Sequence, residues 1–181
     1  MKKDGTLKRT MTLLLLLAVI GPMAGAAADG IATAGDILQF AVPAVAFGTT
    51  WEKDDAPGAL QLVKAYALSL GTTYLLKVSV PEERPNGGSH SFPSGHTSDV
   101  FTSAEFMRVR YGFKWGLPFY LAGAFVAYSR VESDQHYVHD VIAGAAIGIV
   151  SSHLFARPYH GWNAAISFEH GGVAVGFKRQ F

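Results

Sequence analysis

Hydrophobic and polar positions alternate along this chain on the scale of whole helices. Five apolar stretches, Ala34–Trp51, Ala59–Val80, His96–Val109, Trp115–Ser129 and Val138–Phe155, are separated by turns rich in charge, proline or glycine. They exceed strand length and are rich in alanine and leucine, so the pattern predicts five helices. Ahead of them, Lys2, Lys3, Lys8 and Arg9 precede the apolar run Met11 to Ile20, and Gly21 to Ala28 ends in small residues. Residues 1–28 therefore read as a secretory signal cleaved near Ala26 to Ala28, or as a first membrane helix. The apolar run is short against the ~20 residues a span needs, which favours the signal.

After the helices the period changes. Ala164, Ile166 and Phe168 alternate with polar or small residues, Glu169-His170-Gly171-Gly172 supplies a turn, and Val173, Val175 and Phe177 alternate again. This predicts a β-hairpin over 161–181. The expected architecture is an all-α bundle of five to six helices, with residues 29–160 as the main domain and the hairpin as a tail. Gly144 and Gly148 form a small-xxx-small pair in the last stretch, which lets a neighbouring helix approach closely.

Composition changes the picture in one respect. The chain has 181 residues, of which 49% are hydrophobic and only 16% charged, against roughly 25% charged in an average soluble domain. A net charge of +1 offers no broad basic face, so no nucleic-acid partner is expected. The absence of cysteine excludes a disulfide scaffold, a thiol nucleophile, a cysteine-ligated zinc and an iron–sulfur cluster. Only Ala59–Val80 and Val138–Phe155 approach spanning length, and Asp36, Lys64, Asp99 and Glu105 intrude into apolar stretches. Charge placement nevertheless favours a membrane. With alternate threading, Lys53, Arg108, Arg110, Lys114 and Arg157 fall on the same side as the basic N-terminus, and the other side holds only Lys77, Arg84 and Arg130. That asymmetry fits the positive-inside rule.

The polar residues with chemical potential fall in two loops on that second side. One runs from Lys77 through Arg84-Pro85 to Pro93-Ser94-Gly95-His96, and the other from Ser129-Arg130 to His136-Tyr137-Val138-His139-Asp140. Each residue alone has a plain explanation. Lys77 suits a snorkelling helix end, Ser94 suits a helix cap, and His136 with Asp140 suits an i, i+4 surface pair. Glu132, Asp134, His90 and His139 read as loop residues. As a set they suit a phosphate. Lys77, Arg84 and Arg130 converge with the free N–H groups of a helix beginning at Ser94-Gly95-His96. Two histidines offer a nucleophile and an acid, and a carboxylate one turn from His136 can hold one ring nitrogen protonated while the other attacks. A metal site on His96, His136, His139 and Asp140 is the rival use. Three nearby cations and the lack of a compact carboxylate cluster argue against it.

Lys77-x6-Arg84-Pro85, then Pro93-Ser94-Gly95-His96, then Ser129-Arg130-x5-His136-x3-Asp140 resembles the three-part signature of the type 2 phosphatidic acid phosphatase superfamily. That superfamily includes membrane lipid phosphatases, class A acid phosphatases and the much longer vanadium haloperoxidases. The resemblance implies that His136 attacks phosphorus, Asp140 orients it and His96 protonates the leaving group. It further implies that Lys77, Arg84, Ser94, Gly95 and Arg130 hold phosphoryl oxygens, with no metal and no cofactor. The expected partners are a phosphorylated lipid and a membrane. The leading expectation is a phosphatase of the bacterial inner membrane with its site facing the periplasm. The alternatives are a soluble periplasmic acid phosphatase of broad specificity and a membrane protein that binds phospholipid without turnover.

Overall fold

A computed structural model describes residues 28–159 and the backbone of 162–169 and 172–179. Five helices lie within them: α1 (Ala28–Glu52), α2 (Ala56–Ser79), α3 (Gly95–Tyr111), α4 (Phe113–Glu132) and α5 (Val138–Phe155). They are the five expected stretches, lengthened at several ends by local stop and start chemistry. Asp55 starts α2 by accepting the Gly58 N–H at 3.0 Å, and Ser94 starts α3 by accepting from Thr97. Gly112 ends α3 at φ 98, a conformation that suits glycine and turns the chain into α4 through one residue. The backbone of β1 (Trp162–Glu169) pairs antiparallel with β2 (Gly172–Arg179). The turn expected at His170 and Gly171 lies outside the described residues, so the hairpin remains an expectation. The signal or first helix expected over residues 1–28 lies outside them too, save Ala28.

The bundle is built around α3, which packs against all four other helices. No residue of α3 is exposed, although it is the most polar of the five. Thr97, Ser98, Thr102, Ser103, Glu105 and Arg110 are all buried there. Neighbouring helices satisfy this polarity: Thr73 Oγ1 donates to Ser98 Oγ at 3.1 Å, Tyr66 Oη to the Asp99 carbonyl at 2.8 Å, and Ser152 Oγ to the Thr102 carbonyl at 2.5 Å. Leu38, Val42, Leu62, Phe106, Phe119 and Val126 fill the space between helices. The outward faces are apolar, with Phe40 72%, Trp51 87%, Tyr74 68% and Leu121 61% exposed. A polar central helix inside an apolar exterior inverts the usual arrangement of a soluble bundle.

Gly144 and Gly148 let α5 approach the backbone of α3 closely. A Cβ on Gly144 would collide with the Ser94 carbonyl, and one on Gly148 would lie 2.5 Å from the Ser98 carbonyl and 2.7 Å from the Thr102 nitrogen. The expected small-residue face therefore meets the backbone of α3.

The intruding charges resolve individually. Glu105, 2% exposed, accepts from Arg108 Nε and Tyr120 Oη at 2.6 Å and lies 2.9 Å from His153 Nδ1. Asp99 accepts from Gln39 of α1 at 2.8 Å, and Lys64 is exposed on the outer face of α2. The acidic turn Glu52–Asp55 also proves structural in part: buried Asp55 takes two hydrogen bonds from Arg110 and one from Tyr111. Arg110 Nη1 reaches on to the Arg157 carbonyl at 2.9 Å. Basic residues at the ends of α3 and α5 thus gather at one end of the bundle. One expectation needs correction. Among the described residues, the helices long and apolar enough to cross a membrane are Gly30–Glu52 and Val138–Phe155, not Ala59–Val80. Helix α1 starts earlier than Ala34, and α2 carries Gln61, Lys64, Ser69, Thr72 and Thr73.

Two outcomes follow from this packing. Asp55→Ala strands a buried guanidinium and should cost about 3–5 kcal/mol, read as a lower unfolding midpoint of the purified protein. Gly148→Leu should prevent α5 from seating on α3 and abolish recovery of folded protein, whereas Ile142→Leu on the exposed face of α5 should leave the midpoint unchanged.

Candidate active site

The α2–α3 and α4–α5 loops meet at the opposite end of the bundle. The Asn86 N–H donates to the Asp134 carbonyl at 3.1 Å, Arg84 Nη1 to Gln135 Oε1 at 3.1 Å, and the Ser94 N–H to the Asp140 carbonyl at 3.0 Å. These bonds join the segments carrying the three parts of the sequence pattern.

Asp140 is the best-anchored group there. It lies in the first turn of α5, is fully buried, and takes three contacts on one carboxylate oxygen. Ser91 Oγ donates to Oδ2 at 2.5 Å, the Tyr137 N–H donates at 3.0 Å, and His136 Nδ1 lies 3.2 Å away. The Tyr137 bond also starts the helix, because a carboxylate at the third helical position can accept the capping residue's N–H. With Nδ1–H directed at Asp140, His136 Nε2 is the nitrogen left with a lone pair.

His136 is 2% exposed. Burial, reinforced by the positive charges of Arg84 and Lys77 and opposed by Asp140, pushes its pKa down to about 4. The imidazole is therefore neutral through the physiological range, the form a nucleophile requires. Lys77 Nζ donates to the carbonyls of His90 at 2.9 Å and Ser91 at 3.3 Å, and its Cε stands 4.0 Å from where a Gly95 Cβ would be. The ammonium is thus held over the start of α3. Ser94, fully buried, caps α3 through Oγ, the plain reading its position allowed.

His96 and Arg130 meet beside this cluster on a residue outside the sequence pattern. His96 Nε2 lies 2.9 Å and Arg130 Nη1 2.6 Å from the same oxygen, Oδ1 of Asp36 in α1. Arg130 is 3% exposed, and its Nη2 donates to the Ala32 carbonyl. The charge of Arg84 is felt at both His96 and His136, which links the two halves. All eight residues selected from sequence thus lie at this end of the bundle. Sequence reasoning missed Ser91, a serine with no distinguishing signal. It also gave no role to Asp36, although a carboxylate in an apolar stretch was the available clue.

The loop residues separate as expected from sequence for Glu132, Asp134 and His90, all exposed. His139 is exposed but partnered: Nε2 lies 2.7 Å from Glu82 Oε1 and 3.2 Å from Asp140 Oδ1, and its ring stacks on Tyr137 at 5.4 Å. Glu82, His139 and Asp140 are the one group among the described residues whose donor atoms converge closely enough to hold a metal, within 4.8 Å. The hydrogen bond between His139 and Glu82 accounts for the closest part of that convergence.

The PAP2 superfamily model matches residues 58–163, more than half of the chain, and the chain belongs to that superfamily. It is 34% identical over 92 residues to a lipid A 1-phosphatase of Porphyromonas gingivalis, an alignment covering 49% of this chain and 21% of that protein. A lipid A 1-phosphatase of Helicobacter pylori is 30% identical over 134 residues, covering 67% of this chain and 65% of the relative. A lipid A 4'-phosphatase of Helicobacter pylori is 28% identical over 137 residues, covering 69% of each. The chain thus spans a fifth of the first relative's length and just under two thirds of the second's. No solved structure gives a significant match.

The displaced titration of His136 is measurable. An unfolded histidine takes its proton near 6.5, and folded His136 does so only at about 4. Between these values the unfolded chain binds the extra proton, so this group's contribution to stability falls as pH falls. A histidine NMR titration should place His136 at about 4. Lys77→Gln removes one repelling cation and should move that midpoint up.

Proposed function

We propose that this protein is a phosphatase that removes a phosphate group from a membrane lipid by a two-step phosphoryl transfer through His136. The observation that carries the reading is the His136–Asp140 pair, buried beneath Lys77 and Arg84 at the start of α3. Membership of the PAP2 superfamily supports it.

In the first step His136 Nε2 bonds to phosphorus as the bond to the lipid oxygen breaks, and His96 gives that oxygen a proton. In the second, water bonds to phosphorus, His96 takes its proton, and the N–P bond breaks to release inorganic phosphate. Asp140 keeps Nδ1–H of His136 in place through both steps, and Ser91 and the Tyr137 N–H hold Asp140. Lys77, Arg84, Arg130, the Ser94 hydroxyl and the N–H groups at Gly95 and His96 balance the charge that develops on the phosphoryl oxygens. Those cations supply what a divalent ion would otherwise supply, so the scheme uses no metal. The hairpin expected in the tail has no part in it.

The relatives named as lipid A 1- and 4'-phosphatases support lipid A as the leading substrate among phosphorylated lipids, with neither phosphate preferred. The apolar exterior and the two span-length helices support embedding in a bilayer. The charge asymmetry supports placing the site at the periplasmic face of the inner membrane.

The decisive experiment is phosphate release by the purified protein over a panel of lipid A, phosphatidic acid, phosphatidylglycerol phosphate and undecaprenyl diphosphate, with a small soluble ester as control. Turnover of a lipid, persistent in EDTA, blocked by vanadate and abolished in His136→Ala, is expected. Activity confined to the soluble ester, or a need for added divalent metal, would overturn the scheme. Retention in membranes after alkaline carbonate washing is the expected fractionation, and release would point to the soluble periplasmic alternative.

A further inference from the structure

Among the described residues, Asp36 is the one carboxylate that touches two of the proposed phosphate-site residues without belonging to the sequence pattern. Its Oδ1 joins three helices: it belongs to α1, accepts from Arg130 in the last turn of α4, and lies against His96 in the first turn of α3. The approach is built into the packing. A Cβ on the preceding residue, Gly35, would overlap Ser129 Oγ and sit 2.5 Å from Arg130 Nη2, so only glycine lets α1 come this close. Arg130 Nη2 is tied in turn to the Ala32 carbonyl, one turn earlier in α1.

We propose that Asp36 is the positioning residue for the general acid, doing for His96 what Asp140 does for His136. This rests on the two-step reading above. The two pairs use opposite ring nitrogens. Asp140 engages Nδ1 of His136 and leaves Nε2 for phosphorus, whereas Asp36 engages Nε2 of His96 and leaves Nδ1 for the leaving group. Burial and the charge of Arg130 pull the His96 pKa below its ordinary value and Asp36 opposes them, so the carboxylate on Nε2–H is the group that favours the doubly protonated ring, whose Nδ1 carries the proton to give. When the P–O bond breaks, that proton passes to the lipid oxygen, and His96 stays neutral with Nε2–H on Asp36. Its Nδ1 lone pair then takes the proton of the attacking water, which restores the starting state. Arg130, fixed by the same oxygen, holds Asp36 in register with the site.

The test exploits leaving-group chemistry. An alkyl phosphate needs a proton on its departing oxygen, and a nitrophenyl phosphate with the same hydrocarbon tail does not. Asp36→Asn keeps the shape and removes the charge. Its kcat/KM should fall roughly 10- to 100-fold on the alkyl ester and less than about threefold on the nitrophenyl ester. In a His96→Asn background the same change should have no further selective effect. Equal losses on both esters, or no loss on either, would overturn the proposal. Because each variant is read as a ratio between two substrates, a smaller folded fraction cancels. If Asp36→Asn cannot be recovered folded, Asp36→Glu, which displaces the carboxylate by one methylene, is compared on the same two esters: a selective loss on the alkyl ester supports the proposal and an unselective one overturns it. Wild type and His136→Ala separate this inference from the one it rests on. Wild type inactive on both esters, or His136→Ala active, defeats the phosphatase reading itself. An active wild type with an unselective Asp36→Asn defeats only the role of Asp36.

Discussion

The contact between α3 and α5 is the constraint on which the rest of this protein depends. Two glycines one turn apart bring the α5 axis against the α3 backbone at Ser94, Ser98 and Thr102. At the top of that seam the Ser94 N–H donates to the Asp140 carbonyl. The start of α3, with its free N–H groups, is thereby held beside the start of α5, with its buried carboxylate. The two helix N-termini could not share a site if larger side chains kept the helices apart.

Placing α3 at the centre has a second consequence. A helix touched by four others must satisfy its polar groups from all sides, and the hydroxyls of Thr73 and Ser152 and the phenol of Tyr66 do so. Glu105, Arg108 and Arg110, the charges toward the other end of α3, are paired as tightly. Polarity is gathered inside the bundle and the apolar residues are turned outward. The interior polar bonds are strengthened by the exclusion of competing water.

Within the site, each histidine sits against one carboxylate oxygen that is itself tied elsewhere in the fold. Asp140 Oδ2 gathers donors from the α2–α3 loop, from His136 and from the capping nitrogen of α5. Asp36 Oδ1 gathers α3 and α4 onto α1. Neither ring can turn without breaking bonds that also hold loops and helices together. Rigid placement of this kind is what a reaction through fixed nitrogens requires.

Much of this was legible in the chain. The five apolar stretches marked the five helices, because each ends in residues that cap or break a helix. The order and spacing of Lys77, Arg84, His96, Arg130, His136 and Asp140 marked a candidate site, because His136 and Asp140 lie one helical turn apart and the others flank predicted helix ends. Gly144 and Gly148 marked a close helix contact, though not its partner. What the sequence left open depends on residues far apart in the chain. Asp36 is 94 positions from Arg130 and 60 from His96, so no local pattern could connect them. Ser91 reaches Asp140 only because the loop folds over α5. Which intruding charges are paired was settled by packing, as was the choice of α3 for the centre, since amphipathic spacing cannot say which helix will be surrounded. The sequence by itself determined the helices and the chemistry available at their ends. Only the tertiary structure decided which carboxylate serves which histidine, because that depends on how closely two glycine-bearing helix faces can approach.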